Sequence, residues 1–484
     1  MNFASFYPEM VLLVGACIIL LLSVFKFALR KYVLGLLAIL TVVISFIVMQ
    51  AVPGIREPAG NLFVQNDFSN FARGLLLVIS VPILISSLDM FNDASKRQGE
   101  FVFLMLISVT GLMLLVQSSH MLSLYLGIEL SSIPLYMLAG LKSHNPKSKE
   151  AVVKYFLLGA FASAMTIYGI SLIYTTAGTF SFVELFNNIK GTPLEMAGFI
   201  FVLAGLSFKI AAVPFHFWAP DVYEGSPPIS TAFISVAPKI GALIVLSRFI
   251  SMGINPAASD NFANLVKWSI AAISALSMTY GNLTAIWQTE VKRIMAYSSI
   301  AQIGYMLIGI VVIAFSPEAV IRSEGARGIL MYVTAYALMN IAVFSVIKVV
   351  EARRGGTTLN HFKGLSKTDP GLALAMTVSL VSLLGIPFAA GFFGKLLIFT
   401  AGVSAGLYWL VVLAVINSAI SAFYYFGIVK NMYFEAPDQE CLRTETKPGF
   451  SFAYLVAVIC SVLTLVIGLL PWIYQLIAKA SESL

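Results

Sequence analysis

Apolar residues gather in runs of about 20, the length a helix needs to cross hydrocarbon, and short polar stretches separate the runs. They lie near 8–28, 32–51, 69–90, 101–118, 120–140, 151–176 and 197–214. Seven more follow near 228–252, 264–287, 296–315, 328–350, 371–402, 406–430 and 452–476. The pattern predicts an all-α polytopic membrane protein with fourteen transmembrane helices. Only Gln117 to His120 divide the fourth run from the fifth, so that boundary is the hardest to set. No long polar block intervenes, and residues 1–484 read as a single integral-membrane domain. The first run has no basic stretch before it and no small-residue cleavage site, so it is expected to stay as a helix.

The basic residues test that count. Of 30 Lys and Arg, three (Lys209, Lys239, Lys395) fall within spans, and eight fall on one side of the predicted membrane or at its helix ends. These eight are Arg56, Arg73, Lys190, Arg248, Lys267, Arg322, Arg327 and Lys479. The other nineteen fall on the opposite side, between Lys26 and Lys447. Cytoplasmic loops carry the excess of positive charge, so the asymmetry predicts both termini outside. One missed helix would scramble it.

Two spans are interrupted. Val213-Pro214-Phe215 breaks the seventh and Ile386-Pro387-Phe388 breaks the twelfth, and each interrupted span carries a lysine. Proline lacks an N–H and clashes with the carbonyl four residues back. In hydrocarbon the freed groups need partners, so broken helices persist only beside a cavity or inside a bundle. Paired interruptions in two halves point to an inverted repeat with a site near the midplane.

Ionisable residues within the spans are the candidate chemistry, because hydrocarbon disfavours charge and such residues mark ion paths. Glu129 lies mid-span in Leu126-Gly-Ile-Glu-Leu-Ser-Ser-Ile-Pro134, and Lys209 is a candidate partner of opposite charge. The pair is either a responsive proton-binding unit or a structural link between two helices. Lys239, after Pro238, stands about ten residues from either end of its span, too far to snorkel comfortably. Lys395 follows Pro387 by eight residues in Gly391-Phe-Phe-Gly-Lys, and it either carries protons or satisfies carbonyls freed by the break. His216 either relays protons between Lys209 and Lys239, since imidazole titrates near neutrality, or hydrogen-bonds at the break. Asp221 to Glu224 read as a turn and cap, and Glu290, Lys292 and Arg293 as interface anchors.

Composition narrows the functional classes. The chain is 59% hydrophobic and 11% charged, and its +7 net charge sits in membrane-flanking loops, so nucleic acid is not an expected partner. Cys17, Cys441 and Cys460 are far apart, and His120, His144, His216 and His361 form no pair at ligand spacing. No dinucleotide or phosphate-loop pattern follows a strand–helix unit. No metal, redox cofactor or nucleotide is therefore expected on this chain.

Four stretches together resemble a known family. They are Leu-Gly-Ile-Glu129; Phe-Lys209-x4-Pro-Phe-His-x-Trp-x-Pro-Asp-Val-Tyr-Glu-Gly-Ser-Pro; Lys292-Arg-Ile-Met-Ala-Tyr-Ser-Ser-Ile-Ala-Gln-Ile-Gly-Tyr305; and Gly-Phe-Phe-Gly-Lys395. They resemble the antiporter-like membrane subunits of respiratory complex I, the bacterial NADH:quinone oxidoreductase, over essentially the whole chain. The form Pro-Asp-Val-Tyr-Glu-Gly-Ser-Pro, the end after the fourteenth span, and lysine at 395 make it most similar to the subunit N branch. The resemblance implies two inverted five-helix repeats, 101–252 (helices 4–8) and 264–430 (helices 9–13), with helices 7 and 12 broken. Residues 1–100 then supply helices 1–3, and 452–476 helix 14. It further implies Glu129 and Lys209 as a modulating pair, Lys239 as central proton carrier, Lys395 near the outer exit, and His216 on the polar axis. Gln302 falls where the repeat would place a counterpart of Glu129. NADH, FMN, iron–sulfur clusters and quinone would be bound by other subunits. Partners would be other membrane-arm subunits, the lipid bilayer and, indirectly, the peripheral NADH-oxidising arm, in the cell's inner membrane. A multi-subunit cation/proton antiporter and a ferredoxin-driven relative of the complex are the alternatives.

Overall fold

The computed structural model describes residues 3–25, 32–51, 62–90, 96–141, 145–253, 260–437 and 451–484. Several loop positions used above lie outside the described residues, among them Lys26, Arg30, Lys31, Arg56, Lys142, Arg443 and Lys447. His144 and Cys441 do so too. After a 3-10 turn, Phe3–Phe6, the first seven helices are α1 (Tyr7–Leu22), α2 (Val33–Ala51), α3 (Asp67–Ser87), α4 (Lys96–Val116), α5 (Met121–Ala139), α6 (Pro146–Ala177) and the short α7 (Phe182–Asn188). Then come α8 (Pro193–Ile210), α9 (Trp218–Gly225), α10 (Pro228–Gly253), α11 (Asp260–Ala285), α12 (Val291–Phe315) and α13 (Ala319–Arg354). The chain closes with α14 (Leu359–Phe362), α15 (Leu365–Thr368), α16 (Pro370–Leu384), α17 (Ala390–Ser404), α18 (Tyr408–Tyr433), α19 (Phe452–Leu469) and α20 (Pro471–Ser481). Among the described residues no strand is named, and three isolated bridges tie loops together.

Every one of the fourteen apolar runs forms helix. Twelve described helices are long and apolar enough to cross a membrane. The ninth run is the more polar α11, and the twelfth is the pair α16 and α17, 15 residues each. Local chemistry sets the ends. Asn66 and Thr192 form capping boxes with Ser69 and Glu195, and prolines open α6, α8 and α16, where the first N–H has no helical partner anyway. Two expectations need correction. Pro471 starts a new helix, so the last run is two elements rather than one. Asp221 to Glu224 form the short helix α9, not a turn, because the backbone recovers helical geometry after the Pro214 break.

The most apolar windows of α10, α12 and α13 are 94–100% buried, so these three helices form the bundle's centre. The corresponding windows of α1, α2, α6, α18 and α19 are at most 39% buried and line the periphery. Two helix pairs pack alike across the molecule. Ser108 Oγ of α4 donates to Ser131 O of α5 at 3.0 Å, and Ser274 Oγ of α11 donates to Gly304 O of α12 at 2.6 Å. A Cβ on Gly111 would stand 2.6 Å from Ser131 N, and one on Gly304 2.5 Å from Met278 N, so both crossings bring backbones together. Ser131 and Gly304 each lie two residues beyond Glu129 and Gln302. The two halves thus share a local register.

Charges assigned above to the poorly basic side are also drawn inward. Arg73 is 2% exposed and pairs with Glu9 of α1 through both carboxylate oxygens, at 3.0 and 2.9 Å. Gln117 adds a third bond to Glu9 at 2.7 Å. Arg248 is 1% exposed and donates to Val116 O at 2.7 Å, against the C-terminal end of α4, where a helix favours a cation.

Candidate functional site

The break after α8 creates the first part of the site. Ala211 adopts the left-handed conformation at φ 58° and closes the helix with Ala211 N on Phe208 O and Ala212 N on Ser207 O. Gly385 does the same at φ 91° after α16. Alanine there costs about 1–2 kcal/mol that glycine avoids, so the first break is held by its surroundings. Trp218 Nε1 donates to Phe208 O at 3.0 Å, and Ser277 Oγ accepts from Val213 N at 2.9 Å.

Lys209 sits in the last turn of α8, where orphan carbonyls favour a cation. Its ammonium donates to Ser132 Oγ at 2.8 Å and Tyr136 OH at 3.1 Å. Glu129, half-buried on α5, accepts a short hydrogen bond from Ser163 of α6. Ser132 lies three residues beyond Glu129, on the same helical face. Among the described residues Glu129 and Lys209 form no direct ion pair: the lysine bonds two α5 hydroxyls, and the carboxylate bonds Ser163 of α6.

Lys239 is 1% exposed in the centre of α10. It donates a short bond to Ser299 Oγ of α12 and a longer one, 3.4 Å, to Ser299 O. Ser299 Oγ also bonds Tyr336 OH of α13 and, at 3.2 Å, Tyr223 OH of α9. One hydroxyl thus joins the lysine to two phenols. His216 is buried against Phe217 and Tyr280, both with ring centroids at 4.6 Å, and its Nδ1 has no hydrogen-bond partner. It is not a hydrogen-bond partner of Lys209 or Lys239. The two lysines are linked instead through aromatic contacts: Tyr136 to Tyr155 at 4.7 Å, Tyr155 stacked on Trp218 at 4.4 Å, then Trp218 to Tyr223 at 6.4 Å.

Beyond Lys239 the polar contacts continue on the residue of α12 before Ser299. Ser298 Oγ bonds Tyr425 OH of α18 at 2.5 Å, and Gln302 Nε2 donates to Tyr425 OH and to Leu383 O, both at 3.0 Å. Tyr332 donates a short bond to Gln302 Oε1. Lys395 then reaches Leu384 O and Ser418 Oγ, both at 2.9 Å, and lies 4.7 Å from the Tyr305 ring centroid. Leu383 stands two residues before Gly385, as Lys209 stands two before Ala211. The second half therefore replaces a Glu–Lys relation by an amide bonded to a backbone carbonyl. That amide cannot titrate. Lys395 does satisfy a carbonyl freed by its break, while also facing a hydroxyl and a ring.

A second cluster lies at the basic face, outside the spans' apolar parts. Arg293 Nη1 bonds Asp221 at 2.7 Å and Glu224 at 2.9 Å; Lys154 bonds Asp221 at 2.5 Å and Lys147 bonds Glu224 at 2.6 Å. Burial pushes both carboxyls up, but hydrogen bonds from Lys154 and Arg293 on Asp221, and from Lys147 and Arg293 on Glu224, outweigh it and hold both below the ordinary range. Arg293 is thus no simple membrane anchor: it ties α12 to α9. Lys292 is 4% exposed and donates to Ser226 O at 3.2 Å. Among the described residues no group of three or more His, Cys, Asp or Glu is placed to hold a metal.

This arrangement has relatives. Residues 118–421 match the family described as NADH:quinone oxidoreductase/Mrp antiporter, transmembrane region. The chain belongs to this family. The match contains Glu129, Lys209, His216, Lys239 and Lys395. NADH-quinone oxidoreductase subunit N of Rhodospirillum rubrum is 40% identical over 437 residues, 88% of this chain and 87% of that protein. The protein of the same name in Paramagnetospirillum magneticum is 38% identical over 98% of this chain and 96% of its own length. Among solved structures, a chain of respiratory complex I from Thermus thermophilus with bound Aureothin superposes with a TM-score of 0.79 at 31% identity, covering 96% of this chain and 97% of that one. A chain of the Mrp complex from Dietzia sp. DQ12-45-1b superposes at 0.83 with 19% identity, covering 100% and 97%, and shares the fold.

Within the family frame, the charged members of the line were legible in the sequence, and the hydroxyls were not. Ser132, Tyr136, Ser163, Tyr223, Ser298, Ser299, Tyr332, Tyr336, Tyr425 and Ser418 are common residue types in membrane helices. Only Tyr223 and Ser298-Ser299 lay within stretches that carried the resemblance.

Proposed function

We propose that this chain is a proton-translocating membrane-arm subunit of an NADH:quinone oxidoreductase, the counterpart of the subunit N relatives. Electron transfer from NADH to quinone would take place in other subunits, which would hold the NADH, FMN, iron–sulfur and quinone sites. The observation that carries the reading is a file of three buried ammonium groups, Lys209, Lys239 and Lys395, none in an ion pair with a carboxylate among the described residues and all contacting hydroxyls. An array meant only to stabilise the fold would pair such charges, because an unpaired buried charge is costly. Hydroxyls both donate and accept, so they pass a proton between lysines without becoming charged.

In this scheme a charge change in a neighbouring subunit acts on half-buried Glu129. Its bond to Ser163 and the Ser132 contact of Lys209 rearrange, altering the field at Lys239. Lys239 loads through Ser299 and passes its proton by way of Ser298 and Tyr425, whose hydroxyl Gln302 holds in place, toward Lys395 and the outside. His216 contributes to the polar break but not to a direct lysine–lysine bridge. Residues 101–252 and 264–430 act as the two repeat units. Both termini face the outside of the inner membrane.

Lys239→Ala in the assembled complex should abolish most proton movement per electron, while NADH oxidation by an artificial acceptor stays at the parental rate. Lys239→Arg keeps a permanent charge and should fail in the same way. A normal proton-to-electron ratio in either variant would rule out this role. Co-purification with flavin- and iron–sulfur-containing subunits separates this reading from a cation/proton antiporter, which would arrive without them.

A further inference from the structure

A cleft of about 720 Å³ that includes none of the three lysines opens between α1, α2, α3, α19, α20 and the middle of α13. Its size lies within the roughly 300–1,000 Å³ of small-molecule sites. The walls are apolar: Phe46 and Met49 of α2, Phe71, Leu75 and Val78 of α3, and Ile467 of α19. Its mouth is polar, with Gln50, Asp67, Asn70 and Lys479. From Asp67 at the start of α3 to Val78 the cleft follows eleven residues, roughly 16 Å at 1.5 Å per residue. That is about half of a hydrocarbon core roughly 30 Å thick, the depth of one leaflet.

We propose that this cleft holds one phospholipid of the leaflet that surrounds the N-terminal end of α3, with its acyl chain against the α2–α3 wall and its phosphate at Lys479. Charge at the mouth selects the class. Arg73 also lines the cleft, but Glu9 neutralises it, so it offers no free charge to a headgroup. Lys479 is exposed and forms no ion pair among the described residues, which leaves it as the cation for a phosphate. Asp67, exposed on the same mouth, favours a headgroup that also carries an ammonium and disfavours one with extra negative charge. An ethanolamine-type phospholipid meets both conditions. Helix α20, which begins at Pro471 directly after α19, brings Ile473, Leu476 and Lys479 to the cleft and so covers chain and headgroup together.

The test uses the intact complex in phosphatidylethanolamine vesicles containing a trace of the same lipid with a photoreactive acyl chain. The complex is re-extracted, washed with mild detergent, and only then irradiated. Label should remain on residues 71–78, while it washes away from the lipid-facing side of α6 around Phe156, Leu157 and Phe161. Val78→Trp, a half-exposed position whose enlargement fills the cleft, should cut the α3 label at least tenfold. Lys479→Glu, a surface change that spares the packing, should weaken retention about fivefold or more, the effect expected of one lysine near a lipid phosphate, and it carries the test if the tryptophan variant fails to assemble. Equal loss of label from α3 and α6 on washing would overturn the proposal. So would unchanged labelling in Lys479→Glu, or no label on 71–78 because a neighbouring subunit's helix fills the cleft.

Discussion

Ser299→Ala is the most informative single change the structure offers. It removes one oxygen that contacts Lys239, Tyr336 and Tyr223 together. The lysine would keep only Ser299 O at 3.4 Å, a marginal bond. A hydrogen bond to a charged group contributes about 1.5–3 kcal/mol. At about 1.4 kcal/mol per factor of ten, loss of that one bond makes the ammonium form roughly ten- to a hundredfold harder to reach. The methyl left behind fills most of the space, and Tyr336 keeps Ser235 O at 3.2 Å, so folding should suffer by about 1–3 kcal/mol, from Tyr223. The assay is NADH-driven proton uptake into vesicles carrying the assembled complex, with NADH–ferricyanide reduction as the control for the peripheral arm. Coupled proton movement should fall at least tenfold with the control unchanged. Ser299→Thr, which keeps the hydroxyl, should restore much of it. If Ser299→Ala pumps within twofold of the parent, the lysine does not load through this hydroxyl, and the link between the two halves drawn here is wrong.

Two further outcomes are expected. Gln302→Leu strips partners from Tyr332, Tyr425 and Leu383 O, each loss costing about 1–3 kcal/mol; the complex should show lower thermal stability and slower coupled turnover, and an unchanged melting temperature would contradict the network. Arg293→Gln removes bonds of 2.7 and 2.9 Å to Asp221 and Glu224. Because both carboxyls are held below their ordinary range, their stabilising effect is fully present above the unfolded carboxyl pKa of about 4 and is lost as pH falls through the lowered values. Melting curves between pH 3 and 7 should therefore show a shallower acid decline in Arg293→Gln than in the parent. Parallel declines would mean that other carboxylates set the acid limit.

Much of the fold was written in simple periodicity. Twenty apolar residues in a row have few options in a bilayer, since every backbone group must find its partner within a helix. The same rule made Pro214 and Pro387 visible as breaks, and made Glu129, Lys209, Lys239 and Lys395 stand out as costly residues that need a reason. The sequence was less able to divide its last run, because Pro471 at a first helical position begins a helix as readily as it ends one.

What stayed hidden depends on which faces meet. Lys292, Arg73 and Arg248 look like ordinary flanking charges along the chain, and only the packing of α1, α3, α10 and α12 buries them. The aspartate and glutamate of α9 looked like a cap until Arg293, 72 and 69 residues away, closed on both. Glu129 and Lys209 were assigned to each other by charge. Each instead takes serine or tyrosine hydroxyls as partners, and hydroxyl positions follow no period that a single sequence displays. The chain by itself determined its helices, its breaks and the identity of its mid-span charges, because hydrocarbon penalises every exception locally. Tertiary structure alone decided which hydroxyl faces which lysine, because a hydrogen bond depends on contact within about 3 Å between helices that are distant in sequence.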